Sequence, residues 1–237
     1  MKRIIITDGK AVPSAAIREI ELSMREKLEH CESSENLQTG DIVLLSISHH
    51  LARQLIDRGL TELHNTTPET DAFHVLCANH VLYIIGSSKR GIMQGIHQLA
   101  LNDEFRNFDE GIEHKGSSSM PFRAFALLDD GVFKDVSDAE TIRSCVRYLS
   151  AMGASHVAAT NDFSGGPEKM LHSFVPSRIF PNSTPPEFRS RLRGILRTII
   201  DAAGEYGLDV FFDTALLPSC NISQREEFIN AFSPDVV

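Results

Sequence analysis

Residues 70–99 read TDAFHVLCANHVLYIIGSSKRGIMQGIHQL, and this stretch decides the fold of the first half of the chain. It holds two apolar runs, 71–78 and 81–85, whose residues favour strands. Only Asn79 and His80 separate the runs, and asparagine tolerates the positive φ that a two-residue hairpin turn requires. The stretch therefore predicts two antiparallel strands joined by a tight turn.

A helix is predicted directly after the second strand. Ser87 or Ser88 can cap its first turn, and the helix then runs from residue 89 to about residue 102. Gly91 and Gly95 are four residues apart, so they share one face of this helix. Because that face lacks side chains there, the helix can approach a sheet closely.

Toward the N-terminus, strands and helices alternate. Strands are predicted at 3–7 and 42–45, and a short helix at 49–58. Pro13 and Ser14 open another helix, and its apolar stripe reaches Leu28. The order β-α-β-α-β-β-α predicts an α/β sandwich domain over residues 1–106.

Toward the C-terminus, residues 107–121 are polar and rich in glycine and serine, which predicts a linker. Beyond the linker, three apolar runs alternate with three predicted helices. The runs are 122–128, 155–160 and 208–213, and the helices are 138–152, 187–206 and about 223–231. This alternation favours a parallel sheet covered by helices, built from three βα units in residues 122–237.

The composition excludes several classes of protein. The 237 residues carry a net charge of −9 and neither half is basic, so we expect no nucleic-acid partner. No apolar run approaches the roughly 18 residues of a membrane span, so we expect no membrane partner. The four cysteines form no C-x-x-C pair, and the N-terminus does not resemble a signal peptide. We therefore expect reduced thiols, a cytoplasmic protein and no metal or cofactor.

The first half of the chain resembles the non-catalytic N-terminal domain of several glycoside hydrolases, including α-glucuronidases and β-hexosaminidases. The resemblance is carried by Ile85-Gly86, Arg90-Gly91, Gly95 and Leu99, which match a strand, a turn and a helix of that domain. The match implies that a short linker leads from this domain into a (β/α)8 barrel.

The second half resembles the beginning of that barrel. Pro121-Phe122-Arg123 looks like the start of the first barrel strand, and residues 151–156 and 203–210 look like the approaches to the second and third strands. A whole barrel needs about 250 residues in eight units, whereas three units are predicted here. The resemblance thus implies a TIM-barrel-like segment that is incomplete, and it places the catalytic carboxylates on later strands. We assign no catalytic residue and expect the chain to be inactive alone.

Barrel enzymes form their sites at the C-terminal ends of the strands, and polar residues lie at or directly after the end of each of the three predicted strands. These candidates for sugar contact are Asp129 and Asp130, Asn161 and Asp162, and Asp213. Capping of a loop or turn is the open alternative for each. Arg123 is a further candidate, because a guanidinium suits sugar hydroxyls or a uronate carboxylate. An internal salt bridge remains open for Arg123, which lies near the start of its strand.

Two hypotheses about function follow. The first is the N-terminal part of a glycoside hydrolase-like protein with a carbohydrate ligand. The second is a non-enzymatic module that binds carbohydrate or assembles with itself, because three βα units leave an open sheet edge that favours a homo-oligomer.

Overall fold

A computed structural model describes residues 2–7, 9–32, 36–63, 71–106, 108, 110–126, 138–158 and 186–211. The chain forms two compact units. The first comprises Met1–Arg123 with two later segments, Ser150–Ser155 and Glu205–Leu208. The second comprises Ala124–Leu149, His156–Gly204 and Asp209–Val237. Both units combine strands and helices, which confirms the predicted α/β class.

The first unit is built on one six-stranded mixed sheet with three helices. Its strands are β1 (Arg3–Ile6), β2 (Glu29–Cys31), β3 (Ile42–Ser46), β4 (Phe73–Ala78), β5 (Val81–Gly86) and β6 (Glu113–Gly116), in the spatial order β2-β1-β3-β5-β4-β6. The helices are α1 (Ala15–Met24), α2 (His50–Asp57) and α3 (Lys89–Leu101). Strands β1, β2, β3 and β5 are parallel, and β4 is antiparallel to both β5 and β6.

The hairpin predicted from the sequence is present between β4 and β5. Asn79 and His80 have φ values of 52° and 58°, the two positive angles of a type I′ turn. This turn sets Ala78 opposite Val81 and fixes the register of the whole antiparallel pair.

Helix α3 packs closely on the sheet through its glycines. Ser88 caps the helix by accepting a hydrogen bond from the backbone N–H of Gly91 at 3.2 Å. A Cβ on Gly91 would overlap the carbonyl oxygen of Ala72, and one on Gly95 would lie 2.9 Å from Cγ2 of Ile84. The predicted close approach of helix and sheet is therefore confirmed.

The core of the first unit lies on both faces of the central strands. On the face covered by α2, a cluster of buried residues joins Val43, Leu45, Leu55, Tyr83 and Ile85. The other face carries α3 and the side chains that meet Gly95. Strands β3 and β5 are apolar along their length because they are buried on both faces.

Two edge strands were not predicted. Strand β2 follows α1. This helix ends at Met24, before the predicted apolar stripe ends at Leu28, because Arg25 adopts a left-handed conformation with φ 59°. Strand β6 lies within the predicted linker at 107–121 and pairs with β4. Both strands are short and partly exposed, so neither carries the apolar pattern that indicates a buried strand.

The described residues of the second unit form a three-stranded parallel sheet and two helices. The strands are β7 (Ala124–Ala126), β8 (His156–Ala158) and β9 (Asp209–Phe211), and the helices are α4 (Ala139–Ala151) and α5 (Pro186–Tyr206). Asp138 caps α4 by accepting a hydrogen bond from the backbone N–H of Thr141 at 3.0 Å. Within the residues that the structure describes, strands and helices alternate as the sequence predicts.

Candidate functional site

The C-terminal ends of the three parallel strands lie in one row. Ala126 at the end of β7 is paired with Ala158 at the end of β8, and Ala158 is paired with Phe211 at the end of β9. Neighbouring strands are about 4.8 Å apart, so the three strand ends lie within about 10 Å. The three strands therefore end side by side at one edge of the sheet.

The predicted sugar-contact residues of the barrel follow these strand ends directly. Asp129, Asp130, Asn161, Asp162 and Asp213 themselves lie outside the residues that the structure describes. Their contacts with a sugar stay a prediction. The three strands that precede them in the sequence end at the same edge of the sheet.

Arg123 lies at the other end of β7, immediately before Ala124. Its guanidinium donates hydrogen bonds to a carboxylate oxygen of Asp71, to the carbonyl oxygens of Gly153 and Met120, and to Oγ of Ser118. These contacts use four of the five N–H donors of the side chain. The remaining N–H, on Nη2, is the donor that a sugar hydroxyl would contact.

Asp71 is the buried carboxylate at the centre of this arrangement. Its side chain is only 4% exposed and accepts from Arg123 on Oδ2 and from Nε of Arg90 on Oδ1, the latter at 2.8 Å. Arg90 also donates to the carbonyl oxygen of Ser155 at 3.3 Å. The internal salt bridge left open for Arg123 is thus present, and its contact with a sugar stays a prediction.

A second polar cluster lies within the first unit, to which Tyr206 belongs as part of the segment Glu205–Leu208. The hydroxyl of Tyr206 donates to Oε1 of Glu19 at 2.8 Å and accepts from Nη2 of Arg18 at 2.8 Å. Burial, and then the hydrogen bond to the Glu19 carboxylate, raise the pKa of Tyr206 to about 12. The phenol therefore stays protonated at neutral pH and keeps its role as a donor.

Sequence reasoning did not find these two clusters. Glu19 is buried although it lies outside the apolar stripe that the sequence indicates for this helix. Its partner is 187 residues away, and the Asp71 carboxylate is 52 residues before Arg123. A tyrosine in the last turn of a helix, between Glu205 and Gly207, was the available signal for the first cluster.

The described residues contain neither a membrane-spanning helix nor a group of metal-binding side chains. No helix there combines the length and the apolar character needed to cross a membrane. In the same part of the chain, no three histidine, cysteine or acidic side chains group together as they would around a metal ion.

Comparison with known proteins relates this chain to solved structures. No protein-family model and no curated protein sequence gives a significant match. The chain is similar to CpGH84D, with a TM-score of 0.64 and 15% identity over 99% of this chain and 39% of that one. It is also similar to a GH138 enzyme targeting pectin rhamnogalacturonan II, with a TM-score of 0.65 and 10% identity over 100% of this chain and 34% of that one.

A third similar structure is a β-N-acetylhexosaminidase from Bacteroides fragilis, with a TM-score of 0.54 and 13% identity over 98% of this chain and 43% of that one. The three solved proteins are glycoside hydrolases, and the chain spans 34–43% of their lengths. The predicted resemblance to the α/β fold of glycoside hydrolases is confirmed, and at these identities the likeness is one of fold.

Proposed function

We propose that this chain is the N-terminal part of a glycoside hydrolase-like, carbohydrate-active protein, in which the second unit begins a (β/α)8 barrel that further strands complete. The observation that carries the proposal is the row of aligned C-terminal strand ends at Ala126, Ala158 and Phe211. Barrel enzymes collect their substrate contacts at this edge. The similarity in fold to solved glycoside hydrolases supports the same interpretation.

In this proposal, the residues after the strand ends contact the hydroxyl groups of a sugar. They are Asp129 and Asp130, Asn161 and Asp162, and Asp213. Carboxylates and amides accept hydrogen bonds from hydroxyls, and three neighbouring segments supply several acceptors to one ligand. Arg123 is paired with Asp71 and precedes the N-terminal end of β7, so a sugar contact through its last N–H would be separate from the contacts proposed at the C-terminal edge.

The chain alone is proposed to be catalytically silent. Glycoside hydrolysis usually needs two carboxyl groups that face each other across the scissile bond. The family resemblance places them on barrel strands later than the three found here. Turnover of any member of a panel of aryl glycosides by this chain alone would contradict the proposal.

Sugar binding by the second unit is tested with Asp213 and with a matched control, Asp209, that lies on β9. Asp213 follows the C-terminal end of β9, whereas Asp209 lies at its N-terminal end, with Oδ2 at 3.8 Å from Nε2 of His156. In calorimetric titrations with methyl glucuronide and N-acetylglucosamine, we expect Asp213→Asn to weaken binding about tenfold or more. Asp209→Asn is expected to leave binding unchanged. Equal effects of the two substitutions would refute a site at the C-terminal edge.

A second candidate function is that of a self-assembling, non-enzymatic carbohydrate-binding module. It is favoured by the exposure of Phe125 on β7, an edge strand of the three-stranded sheet, and by the exposed ring of Tyr148 on α4. Edge strands with exposed apolar side chains favour association between copies. Light scattering after size-exclusion chromatography decides this point, because a monomer at every concentration contradicts self-assembly.

We also propose a cytoplasmic location for the protein. Cys31 and Cys145 are free thiols, and reduced thiols are typical of proteins in a reducing compartment. Mass spectrometry after alkylation of freshly lysed cells tests this, since every cysteine should carry the alkyl label.

A further inference from the structure

A cleft opens at the β4–β6 edge of the first unit, on the side of the segment that follows α2. Its volume is about 530 Å³, within the roughly 300–1,000 Å³ typical of small-molecule sites. Its polar lining comes from Glu62, His74, Lys115 and Ser117. We call it the His74 cleft.

His74 has one ring nitrogen that the described residues do not satisfy. The residue is 1% exposed, and Nδ1 lies 2.6 Å from Oγ1 of Thr61. A carboxylate oxygen of Glu113 lies 3.3 Å from Nε2 and can only accept, so the imidazole hydrogen is assigned to Nε2 and Nδ1 accepts from the hydroxyl of Thr61. Nε2 has no hydrogen-bond partner among the described residues, which makes it a buried donor in need of an acceptor.

The carboxylate of Glu113 lies beside this donor. Oε1 of Glu113 lies 3.3 Å from Nε2 of His74 without the alignment of a hydrogen bond. The Glu113 side chain is 57% exposed, so it can change rotamer at small cost and admit a ligand atom beside Nε2. An oxygen placed between the two groups would accept from Nε2 and donate to the carboxylate.

The charges around the cleft select the kind of ligand. Nζ of Lys115 lies 2.9 Å from Glu113 and 3.4 Å from Glu62, so one ammonium faces two carboxylates. Burial, followed by the charge of Lys115, lowers the pKa of His74, and the imidazole is therefore neutral at physiological pH. Counted over the described residues, Glu62, Glu113 and Lys115 leave one excess negative charge here, which opposes an anionic ligand.

We propose that the His74 cleft binds a neutral, hydroxyl-rich ligand, namely an uncharged sugar unit. A sugar hydroxyl both accepts and donates, as the gap between Nε2 and Glu113 requires. An apolar ligand would leave the buried N–H donor without an acceptor, which costs binding free energy. A ligand that accepts a hydrogen bond from Nε2 avoids this cost. This site lies in the first unit and does not depend on the proposed barrel site.

The test uses the full chain labelled with ¹⁵N at histidine and follows the imidazole signals by NMR. The neutral probe is methyl β-D-glucopyranoside, added to about 10 mM, and glucuronate is its charged counterpart. We expect the glucoside to shift the His74 Nε2 signal and glucuronate to bind about fivefold more weakly, the factor that about 1 kcal/mol of repulsion gives.

Three variants sharpen the test. Lys115→Met removes a donor and should weaken glucoside binding about tenfold. Glu113→Gln removes one repelling charge and should strengthen glucuronate binding about fivefold. Glu29→Gln, an exposed glutamate on β2 at the opposite edge of the same sheet, is the matched control and should change neither affinity.

Other outcomes overturn the proposal. They are the absence of a His74 shift with the glucoside, binding of glucuronate as tight as that of the glucoside, and an equal effect of Glu29→Gln and Glu113→Gln. Asp213→Asn separates this proposal from the barrel site, because it should leave the His74 response intact. Loss of that response in Asp213→Asn would assign the sugar to the second unit and refute a site at His74.

Discussion

Replacing Tyr206 with phenylalanine removes one hydroxyl from a buried cluster while keeping the ring that fills the same space. The hydroxyl donates to Glu19 and accepts from Arg18, each at 2.8 Å. A hydrogen bond to a charged group contributes about 1.5–3 kcal/mol, and the buried carboxylate is left with one donor fewer. We therefore expect Tyr206→Phe to lower the free energy of unfolding by about 2 kcal/mol at neutral pH.

The same cluster predicts a dependence on pH with a definite sign. The pKa of Tyr206 is raised from 10.0 to about 12 in the folded protein, so the native state holds the phenolic proton more tightly than the unfolded chain. This contribution to stability is fully present below pH 10 and is lost as the pH rises through about 12, at about 1.4 kcal/mol per pKa unit. The difference in stability between the wild type and Tyr206→Phe should therefore shrink above pH 10.

Urea unfolding followed by circular dichroism measures both effects, at about pH 8 and about pH 11. Tyr148→Phe is the matched control, because Tyr148 is 65% exposed on α4 and should change stability by no more than about 0.5 kcal/mol. The reasoning is refuted if Tyr206→Phe costs no more than Tyr148→Phe. It is also refuted if the difference from wild type is the same at the two pH values.

Three further substitutions test the contribution of a buried charge and of two helical glycines to stability. Asp71→Asn removes the charge between two guanidinium groups, and thermal or urea unfolding should show a loss of about 3–5 kcal/mol, as for other buried ion pairs that lose one partner. Gly91→Ala should destabilise by about 1–3 kcal/mol in the same assay, because the new Cβ overlaps the carbonyl oxygen of Ala72. Gly194→Ala, in the interior of α5 with open space around it, should instead stabilise by about 0.5–1 kcal/mol, and a loss there would contradict this account.

Local chemistry made the hairpin and α3 predictable from the sequence. The Asn79-His80 pair provides the two positive φ angles of the turn, and Ser88 provides the cap, so each signal lies within a few residues of its effect. The glycines of α3 belong to the same kind of signal, because their spacing on one helical face implies contact with a sheet. Strands β2 and β6 carried no such signal, since short polar edge strands are defined by their neighbours.

The candidate site was predictable only in its outline. Alternating strands and helices imply a parallel sheet, and a parallel sheet implies that the residues after each strand begin at one edge. The paired rows from Ala126 to Phe211 agree with that expectation. The partners of Arg123 and the burial of Glu19 were not predictable, because ion pairs between residues far apart in sequence depend on the tertiary fold.

The bond between Glu19 and Tyr206 has a consequence for synthesis on the ribosome. The two residues are 187 positions apart, so at about 5–20 residues per second the tyrosine emerges roughly 10–40 s after the glutamate. During that interval, the growing chain presents α1 with an acidic side chain whose phenolic partner does not yet exist. The first unit thus finishes folding late, and its nascent form is the stage at which chaperone binding or misfolding would most readily occur.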